Sequence, residues 1–183
     1  MTTLQAGAGY HLAPSEGPAT WFLDTLMTVK AGGEQTTNAF TLLEWMAPPG
    51  FGPPRHIHHT EDEAFYVLEG AMCVTCGDDS WEATAGSFVF LPRGIPHSFL
   101  VTSEMPIRGL QITAPAGFER FIAGVGRPAP ALTLPPPTEP DIERLVAAAA
   151  RFGHTILEPA SGSQRPADQP YGGAEVIHRA SSS

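Results

Sequence analysis

From Thr20 to about Thr113, apolar and polar residues alternate with a period near two, interrupted by clusters of Gly, Pro and Asp. The alternation predicts strands over 21–30, 38–46, 55–59, 63–69, 71–76, 80–83, 87–91, 97–102 and 107–113, with breaks at AGGEQT, APPGFGPP, CGDDS, TAGS and PRGIP. Many short antiparallel strands with such turn signals predict an all-β sandwich or small barrel. After Ala114 the pattern changes. GFERFIAGVG (117–126) predicts a short helix with Phe118, Phe121 and Ile122 on one face. RPAPALTLPPPTEP (127–140) carries so much proline that it reads as an extended connector. In DIERLVAAAARFG the apolar residues Ile142, Leu145, Val146, Ala149 and Phe152 fall at helical spacing, and Gly153 is the stop. That stripe is expected to pack on the barrel. The chain thus divides into an N-terminal arm (1–19), a barrel core (20–115), a helical C-terminal extension with its Pro-rich linker (116–158) and a polar, flexible tail (159–183).

One stretch of the barrel carries unusual chemistry. GFGPPRHIHHTEDEAFYVLEG (50–70) holds three histidines within four positions, followed by three acids within three. Strand parity sorts them. His56 and His58 are two apart and share a face, whereas His59 points the other way. Glu63 shares its face with Phe65 and Val67, but its odd number cannot align with the even-numbered histidines on one continuous strand. HTED is therefore expected to contain a turn or bulge that resets the register. The converging set is His56, His58 and Glu63, with His59, Glu61 and Asp62 left at the rim. A further donor is expected from GSFVFLPRGIPHSF (86–99), where His97 follows a Pro-x-Gly turn between apolar neighbours. Three imidazoles and a carboxylate form a mixed N/O site suited to one divalent transition metal: Fe, Mn, Ni, Co or Zn. Such a site leaves one or two positions open for a ligand.

The remaining chemistry-bearing residues read more plainly. His11, His154 and His178 are taken as surface or satisfied core histidines. Cys73 and Cys76 sit in a Val/Thr-rich hairpin, where residues three apart point to opposite faces, so they are expected to be unpaired thiols. The barrel interior is expected to be lined from Phe40, Leu42, Phe65, Val67, Met72, Phe99 and Phe118, a pocket for a small aromatic or polyketide-like substrate.

Composition narrows the field further. The 183 residues carry a formal net charge of −9 with no clustered Lys/Arg stripe, which argues against a nucleic-acid partner. The longest apolar run is LVAAAA (145–150), far below the roughly 18 residues of a membrane span, and the N-terminal stretch shows no basic, apolar leader pattern. The expectation is a cytoplasmic protein with no membrane partner.

These residues resemble the two motifs of the cupin superfamily. The first reads Gly50, five residues, His56-Ile57-His58, four residues, Glu63, six residues, Gly70. The second reads Gly86, five residues, Pro92-Arg93-Gly94, two residues, His97, three residues and Val101, where the family's pattern has Asn. AGGEQTTNAF before the barrel and APAGFERFIAGVG after it are similar to bacterial single-domain cupins of the quercetin 2,3-dioxygenase type. The resemblance implies a jelly-roll barrel with C-terminal helices packed on it, in a homodimer. It implies a metal that binds the substrate's enolate oxygen, Glu63 as the base that takes the hydroxyl proton, and dioxygen as co-substrate. The same barrel hosts many reactions. Two other readings therefore stand beside the dioxygenase: a metal-dependent cyclase, isomerase or dehydratase, and a small-molecule-binding protein without turnover.

Overall fold

The structure is a computed structural model and describes residues 8–157 apart from 15, 139 and 140. The expectations for the tail from 159 and for His178 fall outside the described residues. In chain order the elements are β1 (Ala19–Phe22), β2 (Thr25–Ala31), a helical turn α1 (Gly33–Thr36), β3 (Thr41–Ala47), β4 (His56–His58), β5 (Asp62–Glu69), β6 (Ala71–Cys76) and β7 (Asp79–Thr84). They continue with β8 (Phe88–Leu91), β9 (His97–Val101), β10 (Ile107–Ala114), α2 (Phe118–Val125), β11 (Arg127–Pro128), α3 (Ile142–Arg151) and β12 (His154–Ile156).

The strands form two antiparallel sheets that face each other as a jelly roll. One has seven strands in the order β11-β1-β2-β3-β10-β5-β8, the other five in the order β12-β4-β9-β6-β7. Period-two burial generates the core between them. Thr41, Leu43, Trp45 and Ala47 of β3 point inward, as do Glu63, Phe65 and Val67 of β5 and Met72, Val74 and Cys76 of β6. The turn from β5 to β6 needs Gly70, whose φ of +85° is left-handed and whose missing Cβ would lie 2.9 Å from the Ile107 Cα. Cys73 and Cys76 are free thiols, the latter buried and the former half-exposed.

Four expectations need correction. The strand expected over 21–30 is broken at Leu23-Asp24, where Leu23 takes a φ of +53° and the chain reverses into a β1–β2 hairpin. The Pro-rich connector is not wholly free of the sheets, because Arg127 and Pro128 pair with Trp21 and Thr20. In α3, capped by the Asp141 side chain accepting from Arg144 N–H at 3.0 Å, the buried face is Leu145 and Ala149. Ile142 and Val146 of the expected stripe are exposed. Finally, β12 was not foreseen: after Gly153, whose φ of +78° turns the chain sharply, it pairs with β4 and sets His154 opposite His58.

Candidate metal centre

The register reset between His58 and Glu63 is a change of sheet. β4 ends in the five-stranded sheet, residues 59–61 cross over, and β5 begins in the seven-stranded one, so Glu63 faces the histidines from the opposite wall. His97 opens β9 directly across from His56 in the β4–β9 pairing, which places both rings on one face. The ring centroids of His56, His58 and His97 lie 4.5–5.1 Å apart. One ligand-type atom from each of these three and from Glu63 lies within 4.8 Å of all the others. His58, Glu63 and His97 are buried, and His56 is half-buried in the wall of a cavity.

The hydrogen bonds orient the donors. His56 Nδ1–H donates to the Pro54 carbonyl and His97 Nδ1–H to the Ile95 carbonyl, both at 2.8 Å. Each bond fixes the tautomer and leaves the Nε2 lone pair free. His97 Nε2 is buried without a hydrogen-bond partner and lies 3.3 Å from Glu63 Oε2. The other Glu63 oxygen, Oε1, accepts from Gln111 Nε2 at 2.5 Å. A buried nitrogen left unsatisfied costs about 1–3 kcal/mol unless something fills the role of partner. A divalent ion among these atoms would do so.

Charge states point the same way. Burial is the main reason the His56 imidazole is pushed down to about 4, and burial also lowers His58. Burial raises the Glu63 carboxyl, but the pull of His58, His97 and His56 outweighs it and holds Glu63 at about 2. Burial likewise lowers His97, but its contact with Glu63 wins and raises it. Near neutral pH the centre therefore offers neutral imidazoles at His56 and His58 beside an ionised Glu63, while Glu63 favours a proton on His97 that a bound metal would displace.

Against the centre lies an apolar cavity of about 70 Å³ that opens to solvent. Phe65, Phe99 and Phe118 line it. Phe40 does not: it precedes β3 on the outward parity and is 38% exposed, and Leu42 shares that outward face. Met72 is fully buried in the core and does not reach the cavity. Trp45, which was missed, takes their place, packed edge-on against Phe65 at 5.5 Å. Gln111 was also missed. Its signal is a polar residue at an inward position of β10, between inward Gly109 and Thr113.

At the rim, His59 is exposed, and Asp62 forms an ion pair with Arg93 at 2.7 Å, as expected of rim residues. Glu61 is not one of them. It is 5% exposed and accepts a hydrogen bond from His154 Nε2–H at 2.5 Å. His154 is buried as a satisfied core histidine, yet it lies in the wall of the cavity with its ring stacked on His58 at 4.3 Å. His11 is exposed.

A double-sheet jelly roll with three inward histidines and a glutamate defines the class. The cupin domain profile matches residues 43–113, so this stretch of the chain is a cupin domain. A quercetin 2,3-dioxygenase of Bacillus subtilis is 27% identical over 153 residues, covering 82% of this chain and 45% of that protein. An uncharacterised protein of Streptomyces coelicolor is 33% identical over 57 residues, covering 31% of this chain and 53% of that one. The chain spans about half the length of the curated relatives it matches. Among solved structures, a predicted oxalate decarboxylase of Thermotoga maritima aligns with a TM-score of 0.51 at 20% identity, over 56% of this chain and 95% of that one, a likeness of fold. No helix among the described residues is long and apolar enough to cross a membrane.

Proposed function

We propose that the chain is a metal-dependent dioxygenase of the quercetinase type, cleaving an enolisable, flavonol-like aromatic with dioxygen as co-substrate. The observation that carries this reading is the convergence of His56, His58, His97 and Glu63, three of which, His56, His58 and Glu63, line a cavity walled by aromatic rings. The similarity to the Bacillus subtilis quercetin 2,3-dioxygenase supports the substrate class. In this reading the four side chains hold one divalent transition ion. That ion, when bound, supplies a Lewis-acid position for a substrate oxygen.

The protein's own groups do the rest. Gln111 holds Glu63 Oε1, which leaves Oε2 directed at the centre to take the substrate's hydroxyl proton. Trp45, Phe65, Phe99 and Phe118 offer faces and edges to a flat ring and exclude water from the reacting end. A homodimer is part of the proposal. It is supported by the outer face of the seven-stranded sheet, where Tyr66, Phe88 and Phe90 are exposed on the neighbouring strands β5 and β8.

The experiment is elemental analysis of the purified protein followed by oxygen uptake with a panel of flavonols. The expected result is one ion per chain and one dioxygen consumed per substrate cleaved. Product formation without oxygen uptake would replace this reading with a cyclase or isomerase. Ligand binding without any turnover would replace it with a binding protein.

A further inference from the structure

Three imidazoles converge on the centre, but the backbone orients only two. His56 and His97 are each held through Nδ1 by a main-chain carbonyl. His58 has no such carbonyl. Its Nδ1 is buried without a hydrogen-bond partner, and Glu61 Oε1 lies 3.6 Å away. A buried carboxylate such as Glu61 needs partners of its own. It has two: Thr60 Oγ1–H donates to Oε2 and His154 Nε2–H to Oε1, both at 2.5 Å. His154 reaches this point because β12 pairs with β4 and sets it in register with His58, the two rings nearly parallel at 21°. One carboxylate oxygen therefore stands between two imidazoles, one from the barrel and one from the C-terminal extension.

We propose that Glu61 and His154 form a positioning brace for His58: Glu61 accepts His58 Nδ1–H when Nε2 faces a bound metal, and His154 fixes Glu61 in place. The proposal rests on the metal-centre reading above. Closing 3.6 Å to a hydrogen bond requires a shift of about 1 Å. The physical gain is twofold, since an outer carboxylate sets the tautomer of a ligating histidine and makes it a stronger donor. The competing occupant is a second ion, because His58, Glu61 and His154 also bring ligand-type atoms within 4.8 Å of one another. The short His154–Glu61 contact argues for a proton between them. An ion there would also put two cations on the single His58 ring.

The test is a titration of the metal-free full-length protein with Co(II), reading stoichiometry, affinity by chelator competition, and the visible ligand-field spectrum. Wild type is expected to bind one ion. Glu61→Gln is expected to bind it about 10–100-fold more weakly with a shifted spectrum. His154→Ala should shift both in the same direction, and His154→Gln, which keeps an N–H donor, should return both toward wild type. Phe152→Ala loosens the packing of α3 on Phe121 without touching the brace, and should leave affinity and spectrum unchanged. If Glu61→Gln does not fold, the His154→Ala and His154→Gln pair decides alone. Wild-type affinity and spectrum in Glu61→Gln, an equal loss in Phe152→Ala, no recovery in His154→Gln, or two ions per wild-type chain would each overturn the brace. A wild type that binds no Co(II) would overturn the metal reading with it.

Discussion

His56 and His97 meet across a single rung of β4–β9, and Glu63 stands opposite on the facing sheet, so the barrel delivers its donors through strand register. The C-terminal extension reaches the same centre by another route. Phe118 and Phe121 arrive on one face of α2, and His154 arrives on a strand that joins the five-stranded sheet at its edge, 93 residues beyond its partner Glu61. None of these three belongs to the converging donor set of the barrel. They dry the site, pack against the His58 ring and anchor a buried carboxylate. The contrast teaches that the two regions control different quantities. The barrel decides which atoms face the centre. The extension decides the medium in which they sit, and burial is the largest influence on the imidazoles of His56 and His58.

The largest effect should come from breaking the barrel's chemistry while the extension stays intact. Glu63→Gln keeps the size and one carbonyl oxygen but removes the charge and the capacity to take a proton. With three imidazoles still in place, metal should bind more weakly yet remain measurable. Turnover per bound metal should fall about 100- to 10,000-fold, the usual contribution of a general base. Near-native turnover per metal would reduce Glu63 to a ligand and send the proton elsewhere.

A smaller effect sharpens the extension's role as insulator. In the metal-free protein, His56 is lowered from 6.5 to about 4, so between those values the unfolded chain binds the proton that the folded chain refuses. That contribution to stability is present above pH 6.5 and is lost as the pH falls toward 4. His58 acts in the same sense. His97 is raised, so its contribution is full below 6.5 and fades as the pH rises through its folded value, opposing the other two. Glu63, lowered from 4.5 to about 2, extends the acid loss down to that range. The His97 contribution is constant below 6.5, so the two lowered histidines set a net fall of the urea midpoint of the metal-free protein from pH 6.5 to pH 4. A midpoint that rises over that window would show that the rings are not insulated.

The same contrast explains what could be read from the sequence. The spacings Gly50–His56–His58–Glu63–Gly70 and Gly86–Pro92–His97 point to the converging side chains because strand parity is local. The hydrophobic face of α2 was legible for the same reason. Parity failed where both faces of a strand are apolar. In TLLEWMA, Leu42 and Met46 point outward with Phe40, while Leu43 and Trp45 point inward, and hydrophobicity alone does not separate the two sets. Gln111 was hidden in the same way, flanked by outward Leu110 and Ile112. Glu61 and His154 were out of reach for a different reason. Each looks ordinary in its own segment, and only the long-range pairing of β12 with β4 buries them together.

The smallest effect concerns His59, which touches both regions and should matter to neither centre nor cavity. It is next to His58 and on the opposite face of the same segment, so no rearrangement short of a register shift brings it inward. Its Nε2 lies 2.8 Å from Thr155 Oγ1, an exposed link between the barrel and β12. An exposed neutral hydrogen bond contributes on the order of 1 kcal/mol or less, because water replaces either partner. His59→Ala should therefore lower the unfolding free energy by about 0–1 kcal/mol and leave metal content and Co(II) affinity at wild-type values, whereas His58→Ala one position away should deplete the metal sharply. Elemental analysis and chelator competition on the two variants side by side decide the matter. If His59→Ala were as depleted as His58→Ala, the division of this segment by strand parity would be wrong. If it lost affinity only in part, with the ligand-field shift of Glu61→Gln, then the Thr155 link would belong to the brace, and the boundary between barrel and extension would run through His59.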